Sequence, residues 1–173
     1  MPKRKFFLEY FRSPLQLGTF TESSPFLVEA ICREVKGKDI IELGAGTGPV
    51  TRGLLECLDS DSTLTSFEIN KRLFRHLAEI KDERFVAIRD SAKNLDQYDL
   101  QPDCVVSGLP LTIMKKQDRE RVLRYCSKVP LFIQYKYANS TSLLEDYFSR
   151  VSTKRVFRNI PPAVIYVCSN NTH

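Results

Sequence analysis

Apolar residues along this chain follow two alternating patterns: short continuous runs, and stripes spaced three and four apart. Ile40, Ile41 and Leu43 form a short run suited to a buried parallel strand. Val50, Leu54, Leu55 and Leu58 follow at helical spacing, behind a Pro49 whose fixed φ suits a first helical turn. The alternation then repeats. Strands are expected over 63–70, 85–88, 103–107 and 131–137, and helices over 71–80, 117–125 and 143–148. Two closing strands are expected over 155–159 and 163–167, joined only by Pro161 and Pro162. That link is too short for a parallel crossover, so the last strand must run antiparallel. Upstream, Ser23 or Ser24 caps a helix that starts at Pro25 and runs to about Val35, with Phe26, Leu27, Ala30 and Ile31 inward. Strands alternating with helices imply an α/β fold, a doubly wound and mainly parallel sheet with helices on both faces. No repeat or linker interrupts it, so residues 1–173 read as one domain.

The first dozen residues carry a different pattern. Wound as a helix, 2–12 puts Phe6, Phe7, Leu8, Tyr10 and Phe11 on one broad side, and Lys5, Glu9 and Arg12 on the other. Lys3 and Arg4 lie near the edges, where long basic side chains snorkel. This is the composition of a helix lying in a membrane interface. It is equally that of a helix packed on the domain by its aromatic face. Residues 13–24 form a polar loop that can cover a ligand held by the first strand's turn.

That turn carries the candidate chemistry. Gly44, Gly46 and Gly48 alternate after Glu42, the acid at the strand's end. A turn without side chains lets backbone approach a ligand, and the helix N-terminus behind it favours a negative group. The dinucleotide spacing G-x-G-x-x-G is broken by Pro49, and no Gly-Lys-Ser/Thr follows, which excludes a P-loop. Glu68 ends the second strand about 20 residues later, a position suited to accepting both hydroxyls of a ribose. Asp90 follows the third strand, where it can accept from an adenine amino group or simply serve its own turn. The order of acid and glycines resembles the first motif of class I S-adenosylmethionine (SAM) methyltransferases. That resemblance implies a SAM site drawn from Gln16, Gly18, Glu42, Gly44, Ala45, Gly46, Gly48, Glu68, Ile69, Asp90, Ser91, Ala92 and Ser107.

Composition narrows the remaining classes. Apolar residues make up 42% and charged ones 27%, ordinary for a globular domain. No apolar run approaches the roughly 20 residues of a membrane-spanning helix, and the N-terminus lacks the apolar core of a signal peptide. The expected location is therefore cytoplasmic. Five scattered cysteines without a C-x-x-C indicate neither a disulfide framework nor a zinc site, and His76 and His173 alone supply imidazole. No metal is expected. The net charge of +5 favours a polyanionic partner, nucleic acid or an anionic membrane surface, without choosing between them.

Five segments in order sharpen the resemblance. They are Gln16-Leu17-Gly18 with Ser23-Ser24, the Glu42 to Gly48 turn, Ser107-Gly108-Leu109-Pro110-Leu111, Gln134-Tyr135-Lys136-Tyr137, and Arg158-Asn159-Ile160-Pro161-Pro162-Ala163. Together they resemble the bacterial phospholipid N-methyltransferases over nearly the whole chain. The resemblance implies a seven-stranded sheet and SAM as donor. It implies methylation of phosphatidylethanolamine towards phosphatidylcholine, by a cytoplasmic protein bound reversibly to the inner face of the membrane. The expected partners are a phospholipid substrate and an anionic surface contacted by the N-terminal helix, with no obligate protein partner. Ser107, Gly108, Leu109, Pro110 and Tyr137 are the candidate catalytic positions. Carbonyls of the 107–109 turn can accept amine hydrogens and aim the lone pair, and Pro110 stiffens the turn. Tyr135 and Tyr137 suit a methylated ammonium by cation–π attraction, or pack in the core or at its rim.

Two alternatives remain at this stage. An RNA adenine N6-methyltransferase fits the basic charge, but Ser107-Gly108-Leu109-Pro110-Leu111 lacks the amide or acid, second proline and aromatic that grip a flipped base. A non-catalytic membrane-binding module would have no use for the intact acid and glycine set.

Overall fold

The computed structural model describes residues 23–136, 142–159 and 162–170. Helix α1 (Pro25–Cys32) precedes β1 (Asp39–Leu43), α2 (Pro49–Cys57), β2 (Thr63–Phe67), α3 (Lys71–Ala78) and β3 (Phe85–Ile88). A 3-10 segment (Ala92–Gln97) leads to β4 (Cys104–Ser107), α4 (Lys116–Cys126), β5 (Leu131–Lys136), a single turn α5 (Ser142–Glu145), β6 (Arg150–Val156) and β7 (Ala163–Ser169). Seven strands form one sheet in the order β3-β2-β1-β4-β5-β7-β6. The first five are parallel, and β7 lies antiparallel between β5 and β6. The order reverses between β1 and β4, where open α/β sheets open a crevice at their carboxyl ends.

Alternate residues of each central strand feed opposite layers. Ile41, Leu43, Phe67, Val105 and Phe132 join one buried cluster with Val122 and Leu123 of α4. Ile40, Leu64, Cys104, Val106 and Ile133 join the other with Leu27 and Ile31 of α1 and Val50 and Leu54 of α2. A sheet buried on both faces explains why its strands read as continuous apolar runs. Ser24 caps α1, its side chain accepting from Leu27 N at 3.3 Å, a contact worth about 1 kcal/mol. Gly53 brings α1 against α2. A Cβ there would lie 2.0 Å from Val28 Cγ1.

Three expectations require correction. Strand β6 spans Arg150–Val156, earlier than 155–159. It is an edge strand whose residues 152–155 are all exposed, so it carries little apolar signal. The connection to β7 is therefore the stretch 157–162 and not two prolines, although the antiparallel pairing holds. Helix α5 closes after one turn, short of 148, because Phe148 drops into the core to stack on Phe132 at 5.2 Å. The expected helix over 2–12, the cover loop up to residue 22 and Tyr137 lie outside the described residues.

Candidate active site

The turn after β1 is built on positive φ, +73° at Gly44, +62° at Gly46 and +89° at Gly48, a region L side chains enter at a cost. Gly44 N donates to Phe67 O at 2.9 Å, which ties the turn to the end of β2. A Cβ at Gly44 would come within 3.1 Å of Leu109, so the turn after β4 lies directly alongside. At Gly46 a Cβ would meet nothing within 4 Å. The chain is thus folded around open space at that one position, beside the N-terminus of α2.

Glu68 closes one side of this space. It is 7% exposed. Its Oε2 accepts from Gly46 N at 2.9 Å and its Oε1 from Asn70 N at 2.7 Å. Each carboxylate oxygen keeps a second lone pair for a further donor. Burial pushes its carboxyl above the usual range, against the pull of those backbone N–H groups. Ile69, next to it, is 69% exposed, an apolar side chain held open at the rim.

Glu42 sits deeper, fully buried on the α2 side of the sheet. Its Oε2 accepts from Thr51 Oγ1 and Ser66 Oγ, both at 2.6 Å. Its Oε1 is buried without a partner among the described residues. Burial is the main cause that pushes its carboxyl up to about 7. The two hydroxyls pull the other way, and Glu68 adds to the rise. Thr51 and Ser66 escape a reading of the sequence. Ser66 faces Glu42 only through the β1–β2 register, which no local motif reports.

Asp90 is committed to its own turn. Oδ1 accepts from Ser91 N at 2.6 Å and Asn94 Nδ2 at 2.9 Å, and Oδ2 from Tyr98 Oη at 2.9 Å. These bonds, Ser91 N–H first, hold its carboxyl below the usual range. Ala92 is 8% exposed and begins the 3-10 segment.

The turn after β4 is fixed from three sides. Gly108 N donates to Leu43 O at 2.9 Å, and Leu109 N to Ser107 Oγ at 3.3 Å. Gln134, fully buried on β5, donates Nε2 to Leu109 O at 3.1 Å. Leu109 O also accepts from Leu111 N at 2.9 Å. Both lone pairs of that carbonyl are used, so among the three expected amine acceptors Leu109 is already occupied. Beneath the turn, Tyr135 reaches Gly108 so closely that a Cβ there would lie 2.4 Å from Oη. Glycine at 108 is thereby explained by sterics, which the sequence did not reveal. Gln16, Gly18 and Tyr137 lie outside the described residues. The others converge on the carboxyl edge of β1, β2 and β4, with Asp90 at the end of β3.

Among the described residues no group of three or more His, Cys, Asp and Glu side chains is placed to hold a metal. No helix among them is long and apolar enough to cross a membrane.

No family model matches the chain. It is 27% identical to an ornithine lipid N-methyltransferase of Singulisphaera acidiphila, covering 95% of this chain and 96% of that protein. Among solved structures it resembles the 16S rRNA N2 G1207 methyltransferase of T. thermophilus in complex with AdoMet and guanosine, at 15% identity and TM-score 0.66, covering 89% of this chain and 45% of that one. It also resembles the precorrin-6y C5,15-methyltransferase of Geobacter metallireducens, at 14% identity and TM-score 0.63, over 88% and 94% of the two chains. An rRNA methylase of Streptococcus thermophilus is similar at 13% identity and TM-score 0.62, over 87% and 99%. Sheet order, the antiparallel β7 and these likenesses agree: the chain has the Rossmann-like fold of the class I SAM-dependent methyltransferases.

Proposed function

We propose that the protein transfers a methyl group from SAM to the primary amine of a membrane-lipid headgroup. The observation that carries this reading is the Ser107–Pro110 turn, a backbone ledge that lies alongside Gly44 of the glycine turn and has no side chain that grips a base. The near full-length similarity to an ornithine lipid N-methyltransferase supports it. Ornithine lipid and phosphatidylethanolamine both present a primary amine on an anchored headgroup, and either satisfies the ledge.

The residues fit SAM as donor. Glu68 has lone pairs left for a ribose diol, and Ile69 offers an exposed apolar surface to a purine face. The orphaned Oε1 of Glu42 and the vacancy at Gly46 suit the cationic methionine portion. Bound SAM supplies a methyl carbon already activated by its sulfonium. The chain's task is orientation, which can carry much of the acceleration. A primary amine is mostly protonated near pH 7, so a proton passes to solvent water before the freed lone pair attacks. The carbonyls of Ser107 and Gly108 accept the remaining amine hydrogens and aim the lone pair, while Gln134 and Tyr135 hold the ledge still. Asp90 contributes by shaping the turn at Ser91 and Ala92, with one lone pair left for an adenine amino group. Residues 2–12 supply a reversible contact with the membrane. Changing Phe7 and Phe11 to Ser should lower activity on vesicles without abolishing SAM binding.

The test is methylation with radiolabelled SAM. Vesicles containing phosphatidylethanolamine, vesicles containing ornithine lipid and purified rRNA are offered separately. Label in a lipid amine is the expected result, and the better lipid names the substrate. Label in RNA and in neither lipid overturns the proposal.

A further inference from the structure

We infer that the carboxyl edge of the sheet is itself a membrane-docking face, with Phe157, just past the end of β6, as its inserting residue. This rests on the lipid-amine reading above and specifies which surface meets the lipid.

The two edges of the sheet differ in charge balance. Strands β1 to β6 all run the same way, so the segments after β2, β3 and β4 and the β6–β7 turn share the edge that holds the Gly turn. Lys71, Arg72, Arg89, Lys115, Arg155 and Arg158 stand on that edge, all exposed. None forms a salt bridge with another described residue. The acids there are spent internally, Glu68 on Gly46 and Asn70, Asp90 on its own turn, and Asp118 on Lys93. The opposite edge mixes its signs: exposed Lys36, Lys81, Lys128 and Arg150 stand there among Asp59, Asp61, Asp82 and Asp103, with Asp61 paired to Lys38 and Asp82 to Arg84. An edge whose exposed charges are mainly basic, with an edge of mixed sign behind it, is drawn face-on towards an anionic sheet of charge.

The apolar positions favour a lipid surface over a nucleic acid. Phe157 is 72% exposed, between Arg155 and Arg158 just past the end of β6. Arg158 lies over the ring of Phe26 at 3.9 Å, and Phe26 is itself 39% exposed at the start of α1. Asn159, 1% exposed, accepts from Ser24 N at 3.0 Å and so anchors the turn to α1. An anchored aromatic tip between guanidinium groups matches the headgroup layer, where the ring enters the acyl boundary and the arginines stay at phosphate level. Strand β6 lies three positions from β4, about 14 Å at ordinary strand spacing. A tip seated in the headgroups therefore leaves the Ser107–Pro110 ledge facing the same layer.

The chain contains no tryptophan, which makes a direct probe available. Phe157→Trp is the sole tryptophan of its variant, and Ser60→Trp, exposed on the opposite edge, is the control. Titrated with phosphatidylglycerol vesicles, the Phe157→Trp protein should show a blue-shifted emission that 0.5 M salt reverses, and the Ser60→Trp protein should show none. Arg155→Gln and Arg158→Gln should each weaken vesicle affinity about fivefold, and Phe157→Ser about tenfold, with SAM affinity unchanged as the check on folding. Phe157→Trp emission that does not shift on vesicles, or that shifts only on rRNA, overturns the inference. So does unaltered vesicle binding by all three weakening variants. Methylation of the same lipid in detergent micelles separates the two claims. Retained micelle activity with no vesicle effect removes the docking face alone, whereas lipid left unmethylated in micelles removes the lipid-amine reading.

Discussion

Replacing Glu42 with Gln should change how stability depends on pH, and the sign follows from where the carboxyl sits. Burial away from water penalises its charged form, and the hydroxyls of Ser66 and Thr51 offset only part of that penalty. The carboxyl is pushed up to about 7 from an ordinary 4.5. The folded protein therefore holds this proton more tightly than the unfolded chain does. The resulting stabilisation is complete below about pH 4.5 and is lost as pH rises through about 7. At 1.36 kcal/mol per unit of pKa, the loss across that window is about 3 kcal/mol. Gln is neutral throughout and keeps an oxygen for Thr51 and Ser66, so other titrating groups cancel between the two proteins. With a urea slope near 2 kcal/mol/M, the difference between their midpoints should move by about 1.5 M from pH 4.5 to pH 8, in favour of Glu42→Gln at the higher pH. Urea unfolding at half-unit pH steps reads this directly. Parallel midpoint profiles across the window would refute a buried, tightly protonated Glu42.

Other expectations follow from single contacts. Glu68→Ala removes the acceptor of Gly46 N and, on the proposed reading, that of the ribose diol, and should weaken SAM binding by about 1.5–3 kcal/mol in calorimetry. Gly46→Val, in the open space, should abolish that binding while the fold survives in circular dichroism. Gly108→Ala drives a methyl into Tyr135 and should lower kcat far more than it raises the KM for SAM, because the ledge moves while the donor site stays. Gly53→Ala meets Val28 and should cost about 1–3 kcal/mol in urea unfolding, outweighing the roughly 1 kcal/mol that helix propensity returns.

The sheet was legible because strands buried on both faces cannot hide their apolar content. Ile40 and Ile41 feed opposite clusters, and so read as a run. Strand β6 is hidden in the sequence for the complementary reason: RVSTKRV is an exposed edge whose pairing with β7 is made by backbone, and backbone leaves no mark on side-chain pattern. In the site, the glycines and Glu68 were visible because positive φ and a strand-end acid are rare and specific demands. The supports were not visible. Ser66 meets Glu42 across a strand pair, Gln134 meets Leu109 across another, and Tyr135 fills the place of a side chain at Gly108. Each contact exists only once the register is set.

The fold neighbours act on rRNA and on a precorrin, so the shared sheet cannot decide the acceptor. On the proposed reading, what differs lies at the end of β4. There the chain spends its specificity on keeping atoms out. Gly108 has no side chain because Tyr135 occupies the volume, and Leu109 O has no free lone pair because Gln134 and Leu111 hold it. A planar base needs a polar grip and a stacking partner, and neither exists in the Ser107–Leu111 segment. A slim alkylamine needs only two carbonyls and a rigid wall. The buried Gln134 stiffens that wall by donating to Leu109 O, and its own Oε1 has no partner among the described residues.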